Sequence, residues 1–379
     1  MSRCRRSLRR AGVVLATLVP AACAPQCAPP TPAPPPAPPP EQSPAPVRYD
    51  VQVIAGGLEN PWDLAWTPDG TLLVTERTGD INVARDGGGV RIGRPADVRP
   101  EGEGGMMGLA VDPNFASNAR IYACYLTAVD VRVVRFTVGA GYSSLGNATP
   151  LITGMPRSST GRHSGCRVRF GPDGNLWVTT GDAANGTNPQ NLGSLGGKVL
   201  RITTEGGIPA GNMGGPNGQI YAYGFRNPQG ITFRPSDGSP FIIEHGSDRD
   251  DEITELGLIA GGNGGWNPVP GYNESVPMTD LAEFPGALQP IWSSGFPTIA
   301  PSGGTFVNSA QWGTLAGTHI AMAVLKGQEL RLVNTTNGAA STIVSGQGRL
   351  RVAVEGPDGN LWVLTDANPG RILKVTPVR

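Results

Sequence analysis

The chain has 379 residues, 55 of them glycine and 37 proline, and its 30 Lys and Arg balance 30 Asp and Glu. A zero net charge excludes the broad basic field that nucleic-acid binding draws on, so a charged ligand has to be met by a local cluster. Glycine and proline spread along the chain argue for many short strands joined by turns.

In chain order, MSRCRRSLRR followed by AGVVLATLVPAAC is a basic segment, an apolar segment and small residues, which predicts an export signal over residues 1–23. PAAC at Pro20 to Cys23 resembles a bacterial lipoprotein cleavage site with lipid on Cys23; a simply cleaved signal is the alternative. Residues 24–47 are nearly all Pro and Ala, an extended semi-rigid spacer able to lift a domain off a membrane. Past the signal no apolar run is long enough to span a bilayer. The five cysteines are too few and scattered for a disulfide framework; Cys124 and Cys166 either pair in an oxidising compartment or remain two buried thiols.

From Arg48 onward a unit recurs. WDLAWTPDGTLLVTER (Trp62 to Arg77), CRVRFGPDGNLWVTTGD (Cys166 to Asp182), GITFRPSDGSPFIIEHG (Gly230 to Gly246) and RVAVEGPDGNLWVLTD (Arg351 to Asp366) each read as an alternating strand, a Pro-Asp-Gly type turn and an apolar strand. Gly108 to Tyr125 and Gly303 to Leu325 are looser copies. Six copies at intervals of roughly 45 to 65 residues are the signature of a radial repeat. The expected fold is all-β: a six-bladed β-propeller of four-stranded antiparallel blades over residues 48–379. Pairing of an early strand (Val51 to Ile54) with a late one (Arg371 to Pro377) would close its ring and hide the sheet edges. Pro presets one turn dihedral and Gly accepts a positive one, so the repeated turns are structural.

Chemistry is expected in the blade loops of unusual composition that gather around the axial mouth. His163, flanked by Gly161 and Gly165 just before a strand, is placed to act as a general base near neutral pH; a hydrogen-bonded structural histidine is the plainer reading. Asp182 ends the same hairpin and could orient the imidazole, or be only a turn acid. YGFRNPQG offers Arg226, Asn227 and Gln229, one cation and two amides, as an oxyanion-stabilising loop or as an ordinary Asx-type turn. In EHGSDRDDEI, Asp248, Asp250, Asp251 and Glu252 suggest calcium but lack the spacing of an EF-hand, whereas Gly246 and Ser247 could present backbone carbonyls to Ca²⁺. Lys326, Arg349 and Arg351 form a third cluster, the two arginines sharing a strand face, suited to a ligand with several carboxylates or phosphates.

STGRHSGCR, TGD, LGGKVLRI, YGFRNPQG, the EHG run with its acids, GGNGGWNPV and GPDGNLWVLTD together resemble the soluble quinoprotein sugar dehydrogenases in order and approximate spacing. Those are six-bladed propellers that use pyrroloquinoline quinone (PQQ) and Ca²⁺, and the likeness covers nearly all of the chain beyond the linker. It implies oxidation of an aldose at C1 to a lactone, with electrons passed to an external acceptor. His163 would take the C1 hydroxyl proton and Asp182 would support it. Arg226 would sit by the developing oxyanion, and Asn227 and Gln229 around the cofactor. Lys326, Arg349 and Arg351 would hold the cofactor's carboxylates and quinone oxygens, and the carbonyls of Gly246 and Ser247 would bind Ca²⁺.

The chain also departs from that family. Glu103 stands where the glucose-oxidising members carry Gln, and a carboxylate near an anionic cofactor is repelled unless protonated or paired. It is kept as a cofactor-site residue able to read a sugar hydroxyl. Ser247 replaces a common Pro, Cys166 a small Gly, and Val352 an acid. The long insertions of the glucose-specific members are absent, which implies a more open mouth and broader aldose specificity. Two rival readings are a calcium-dependent lactonase-like propeller hydrolase, needing acids from separate blades to converge on the axis, and a non-catalytic carbohydrate-binding propeller. In the sequence the acids crowd one loop while the cations spread over several.

Overall fold

The structure, a computed structural model, describes residues 43–379. The export signal, Cys23 and most of the Pro/Ala spacer lie outside the described residues. Six antiparallel sheets of four strands each make a six-bladed propeller. Each repeat read from the sequence is the inner hairpin of one blade; the innermost strands, from Pro61–Trp66 round to Leu350–Glu355, pack against one another in turn around the axis.

The ring closes by the pairing expected from its two ends. Arg48–Leu58 is the outermost strand of the sixth blade and pairs with Gly370–Val378, the register including Val51 with Val375 and Val53 with Leu373. First and last strands thus share one sheet, which fastens the ring. In the second strands of blades one, three and four burial overrides alternation: Leu72–Glu76, Leu176–Thr180 and Pro240–Glu244 are buried at every position. A strand covered on both faces by neighbouring blades reads as a continuous apolar run.

The repeated turns are held by their aspartates. Asp173 accepts the Asn175 N–H at 3.1 Å and the Trp177 indole N–H at 3.2 Å, and Asp358 repeats this with Asn360 and Trp362 at 3.2 and 3.1 Å. Such Asx turns tie the hairpin to its own second strand.

All six innermost strands carry one extra residue at the mouth end, where their register against the second strand shifts. The shifts fall at Trp62, at Met107 and Gly108, at Cys166 and Arg167, at Gln229, at Ser302 and Gly303, and at Arg351. A bulge leaves its extra residue outside the ladder and re-aims its side chain, and here six of them encircle one axis.

Cys124, in the second strand of blade two, is disulfide-bonded to Cys166 at the start of blade three, closing a sequence separation of 42 residues. Both are fully buried in the largest core cluster beside Trp62 and Leu126. Replacing both cysteines with alanine is expected to lower stability by about 2–4 kcal/mol, the loop-closure contribution of such a bridge. Urea unfolding of the two proteins checks this, and equal midpoints would contradict it.

Candidate active site

Each blade presents two loops to the mouth, one just before its innermost strand and one just after its second. Glu103, His163, Arg226 and Arg349 occupy the first kind; Asp182, Gly246, Lys326 and Asp366 the second.

The centre is a hydrogen-bonded histidine. His163 is 4% exposed, and its Nδ1 lies 2.8 Å from Oδ1 of the fully buried Asp182. The other carboxylate oxygen, Oδ2, accepts the Trp266 indole N–H at 2.9 Å and the Tyr272 hydroxyl at 2.6 Å. That hydroxyl is also 2.9 Å from His163 Nδ1. Nε2 has no hydrogen-bond partner among the described residues. Backbone strain collects here: His163 (φ 54°), Cys166 (φ 74°), Ala183 (φ 57°) and Ala184 (φ 54°) are all left-handed without being glycine. The last two wrap the Asp182 carboxylate, whose Oδ1 accepts the Ala184 N–H at 2.7 Å.

Glu103 ties the base to its neighbours. Its Oε1 accepts the backbone N–H of His163, and its Oε2 accepts the side-chain amides of Asn227 at 3.2 Å and Gln229 at 2.8 Å. The carboxylate that sequence reasoning placed against a sugar hydroxyl is therefore committed on both oxygens to protein donors. It enters on a loop packed backbone to backbone against the histidine loop, where a Cβ at Gly161 (φ 70°) would collide with the Glu101 carbonyl. The amides are thereby oriented: Asn227 Oδ1 accepts the Gly165 N–H at 3.1 Å, and Gln229 Oε1 accepts Arg351 Nη1 at 2.8 Å and the Ser302 hydroxyl at 3.1 Å.

Arg226 is 4% exposed and spans Glu274 (Nη2 to Oε1, 2.6 Å) and the His245 carbonyl (Nη1, 3.2 Å). Glu274 also pairs with Arg162 at 2.5 Å, and these two guanidiniums, prevailing over its partial burial, hold its carboxyl down at about 2. Arg351 Nη2 reaches Asp366 Oδ2 at 2.8 Å, and Arg349 Nε reaches the same oxygen at 3.3 Å. Arg349 precedes the strand and Arg351 is its extra residue, so they meet at one acid from a bulge and not from a regular strand face. Lys326 is exposed at the mouth-side turn of blade five, and its Nζ has no hydrogen-bond partner among the described residues. The carbonyls of Gly246 and Ser247 accept no hydrogen bond among the described residues, while the Gly246 N–H is held by Asp251 Oδ1 at 2.8 Å. Asp251 Oδ2 takes the backbone N–H of Ile299 and Ala300, at 2.5 and 3.0 Å.

Acids do reach the mouth from separate blades, contrary to the impression of one crowded loop. Each is spent on a base, a cation or a backbone amide, and among the described residues no three Asp, Glu, His or Cys gather as a metal cluster. Sequence reasoning did not single out Trp266, Tyr272 or Glu274. They lie on the connection 256–291, which leaves the repeat and climbs beside blade three, bridging Asn263 to Tyr223. Their one signal was an aromatic- and glycine-rich run in a loop far longer than a hairpin needs.

The donor set suits an anionic, oxygen-rich ligand. Arg226 Nε and Arg351 Nε are buried N–H groups without a partner, and buried unpaired donors ask for an acceptor. Arg349 and Arg351 share one acid, so positive charge is in excess there. The free Gly246 and Ser247 carbonyls suit a hard cation.

A six-bladed propeller with a histidine–aspartate pair above a guanidinium and amide floor defines the class of propeller dehydrogenases. The chain belongs to the Glucose / Sorbosone dehydrogenase family, whose model matches residues 58–374. It is 33% identical over 359 residues to the aldose sugar dehydrogenase YliI of Escherichia coli K12, covering 88% of this chain and 94% of that one. It is 26% identical to quinoprotein glucose dehydrogenase B of Acinetobacter calcoaceticus, over 86% of this chain and 91% of that one. Among solved structures it resembles the PQQ-bound form of an aldose sugar dehydrogenase from Streptomyces coelicolor, with a TM-score of 0.73, 30% identity, and 88% and 99% of the two chains covered.

Beneath Arg226, Glu244 and Glu252 face each other across the second and third strands of blade four. Burial pushes both carboxyls up to about 8, and Glu244 adds to the rise at Glu252. The folded state therefore holds protons that the unfolded state has released above the ordinary glutamate range, so stability falls as pH rises from about 5 to 8. Glu252→Gln is expected to flatten that slope in urea titrations at several pH values; an unchanged slope would show that the pair does not titrate in this window.

Proposed function

We propose that the mouth binds PQQ with Ca²⁺ and oxidises aldose sugars at C1 to lactones. The observation that carries this reading is the His163–Asp182 pair, joined through Glu103 to amides and guanidiniums that still hold unpartnered N–H groups. PQQ, when bound, supplies the acceptor for the hydride leaving C1.

His163 Nε2 takes the C1 hydroxyl proton, because Nδ1 is engaged by Asp182 and Tyr272. The Asp182 carboxylate keeps the proton on Nδ1 and stabilises the imidazolium that forms. Trp266 and Tyr272 fix Asp182 in turn, so the ring is oriented before substrate enters. Arg226, through its free Nε, would supply positive charge to the bound ligand, and the Asn227 and Gln229 amides would help to hold it. Arg349, Arg351 and Lys326 would hold the cofactor carboxylates, and the Gly246 and Ser247 carbonyls would hold Ca²⁺. Phe296, 79% exposed on the loop hydrogen-bonded to Asp248, gives a sugar ring an apolar face. The chain is read as exported to the periplasm or cell envelope, with lipid on Cys23 as a tether, and as passing its electrons to an external acceptor.

Apoprotein supplied with PQQ, Ca²⁺ and a panel of aldoses is expected to reduce an artificial dye only when all three are present. His163→Ala should lose about a thousandfold or more of that turnover, in line with loss of a general base, yet still bind PQQ. Full activity in the variant would remove His163 from the mechanism, and dye reduction indifferent to a strong chelator would remove the metal.

A further inference from the structure

We infer that Arg167 is a positioning residue for the ligand of the mouth: a buried guanidinium at the propeller axis that sets Gln229 and, through it, Arg351. This rests on the reading of the mouth as a PQQ site.

Arg167 stands in the bulge that starts blade three and is 1% exposed. Its side chain reaches three other blades. Nη1 pairs with Asp63 Oδ1 of blade one at 2.8 Å, and Nε donates to the Gln229 carbonyl of blade four at 2.8 Å. The guanidinium lies 3.9 Å from the centre of the Trp62 ring. Toward blade five it is packed against Gly303, where a Cβ would come within 2.7 Å of Nη2 and 2.5 Å of Val352. Nη2 has no acceptor.

The charge is only partly neutralised. Asp63 also takes Arg169 in a two-pronged pair, 2.8 Å at each oxygen, so one carboxylate serves two guanidiniums. Burial pulls Arg167 down to about 9 against the opposing pull of Asp63, which leaves it charged at neutral pH. A buried ion with an unmet donor is a poor means of stabilising a fold, since an apolar side chain of similar volume often does better. Its position gives it another task. The carbonyl it holds belongs to the extra residue of blade four, which the sheet ladder leaves free to turn. The side chain of that residue, Gln229, accepts from Arg351 and Ser302 and donates to Glu103. Arg167 touches neither base nor mouth in this arrangement; it fixes from below the residue that joins Glu103 to Arg351, and adds positive charge under an anionic ligand.

The test is PQQ binding to the full-length apoprotein with Ca²⁺, followed by quenching of tryptophan fluorescence, with thermal midpoints and sugar KM measured alongside. Arg167→Met is expected to weaken PQQ binding by about tenfold or more, the worth of a hydrogen bond to a charged group, with sugar KM at saturating PQQ unchanged. Arg167→Lys, which keeps the charge, should recover part of the loss. Gly303→Ala keeps the arginine but displaces it, and should weaken PQQ without removing charge; it serves if Arg167→Met does not fold. A folded Arg167→Met or Gly303→Ala protein that binds PQQ like the parent overturns the inference. So does a Lys variant no better than Met when both lose affinity only in step with their thermal midpoints. A parent protein that itself fails to bind PQQ overturns the reading of the mouth, and this inference with it.

Discussion

A strand with an extra residue at its axial end cannot pair that residue across the sheet and must turn its side chain elsewhere, and in this propeller all six innermost strands end so at the mouth. With the ring closed by its first and last strands, elsewhere means the axis. Gln229 and Arg351 meet there only because both are extra residues of non-adjacent blades, and Arg167 and Trp62 stack beneath them for the same reason. The blades supply rigidity and the bulges supply direction.

Charge follows from that geometry. A guanidinium removed from water needs acceptors for its N–H groups, and an acid removed from water needs donors. Asp63 answers Arg167 and Arg169, Asp366 answers Arg349 and Arg351, and Glu274 answers Arg162 and Arg226. In each case one acid serves two cations, so the mouth and the layer beneath it are poised for negative charge although the chain as a whole is neutral. Glu103 is the exception in sign. Its three hydrogen bonds come from a backbone N–H and two neutral amides, which lets a carboxylate stand beside the base and fix its loop.

The fold was legible because a propeller repeats its turn chemistry: the Pro-Asp-Gly motif marks four inner hairpins, and strand length and spacing supply the other two. Ring closure was legible because an open ring would leave strand edges exposed, and a strand-like segment stands at each end of the propeller sequence. His163, Asp182, Arg226, Asn227 and Gln229 were visible as loop residues of costly type next to strands. Trp266, Tyr272 and Glu274 were not, because they lie on a connection outside the repeat and reach the site only by climbing a neighbouring blade. Arg167 ends the STGRHSGCR run yet reads as a strand residue, since a bulge moves a side chain by one position and leaves no mark in the hydrophobic pattern. Asp366 likewise closed a repeat and looked like turn punctuation until its two arginines were in place.

The central claim is that these groups form one anion-accepting site above the axis, with His163 at its side. A crystal structure of the protein with PQQ and Ca²⁺ tests it most directly. The account expects the quinone in the mouth, its carboxylates and oxygens on Arg226, Arg351 and the Asn227–Gln229 amides, and Ca²⁺ on the carbonyls of Gly246 and Ser247. Quinone bound away from those groups, or a mouth that stays empty at saturating PQQ, would contradict it.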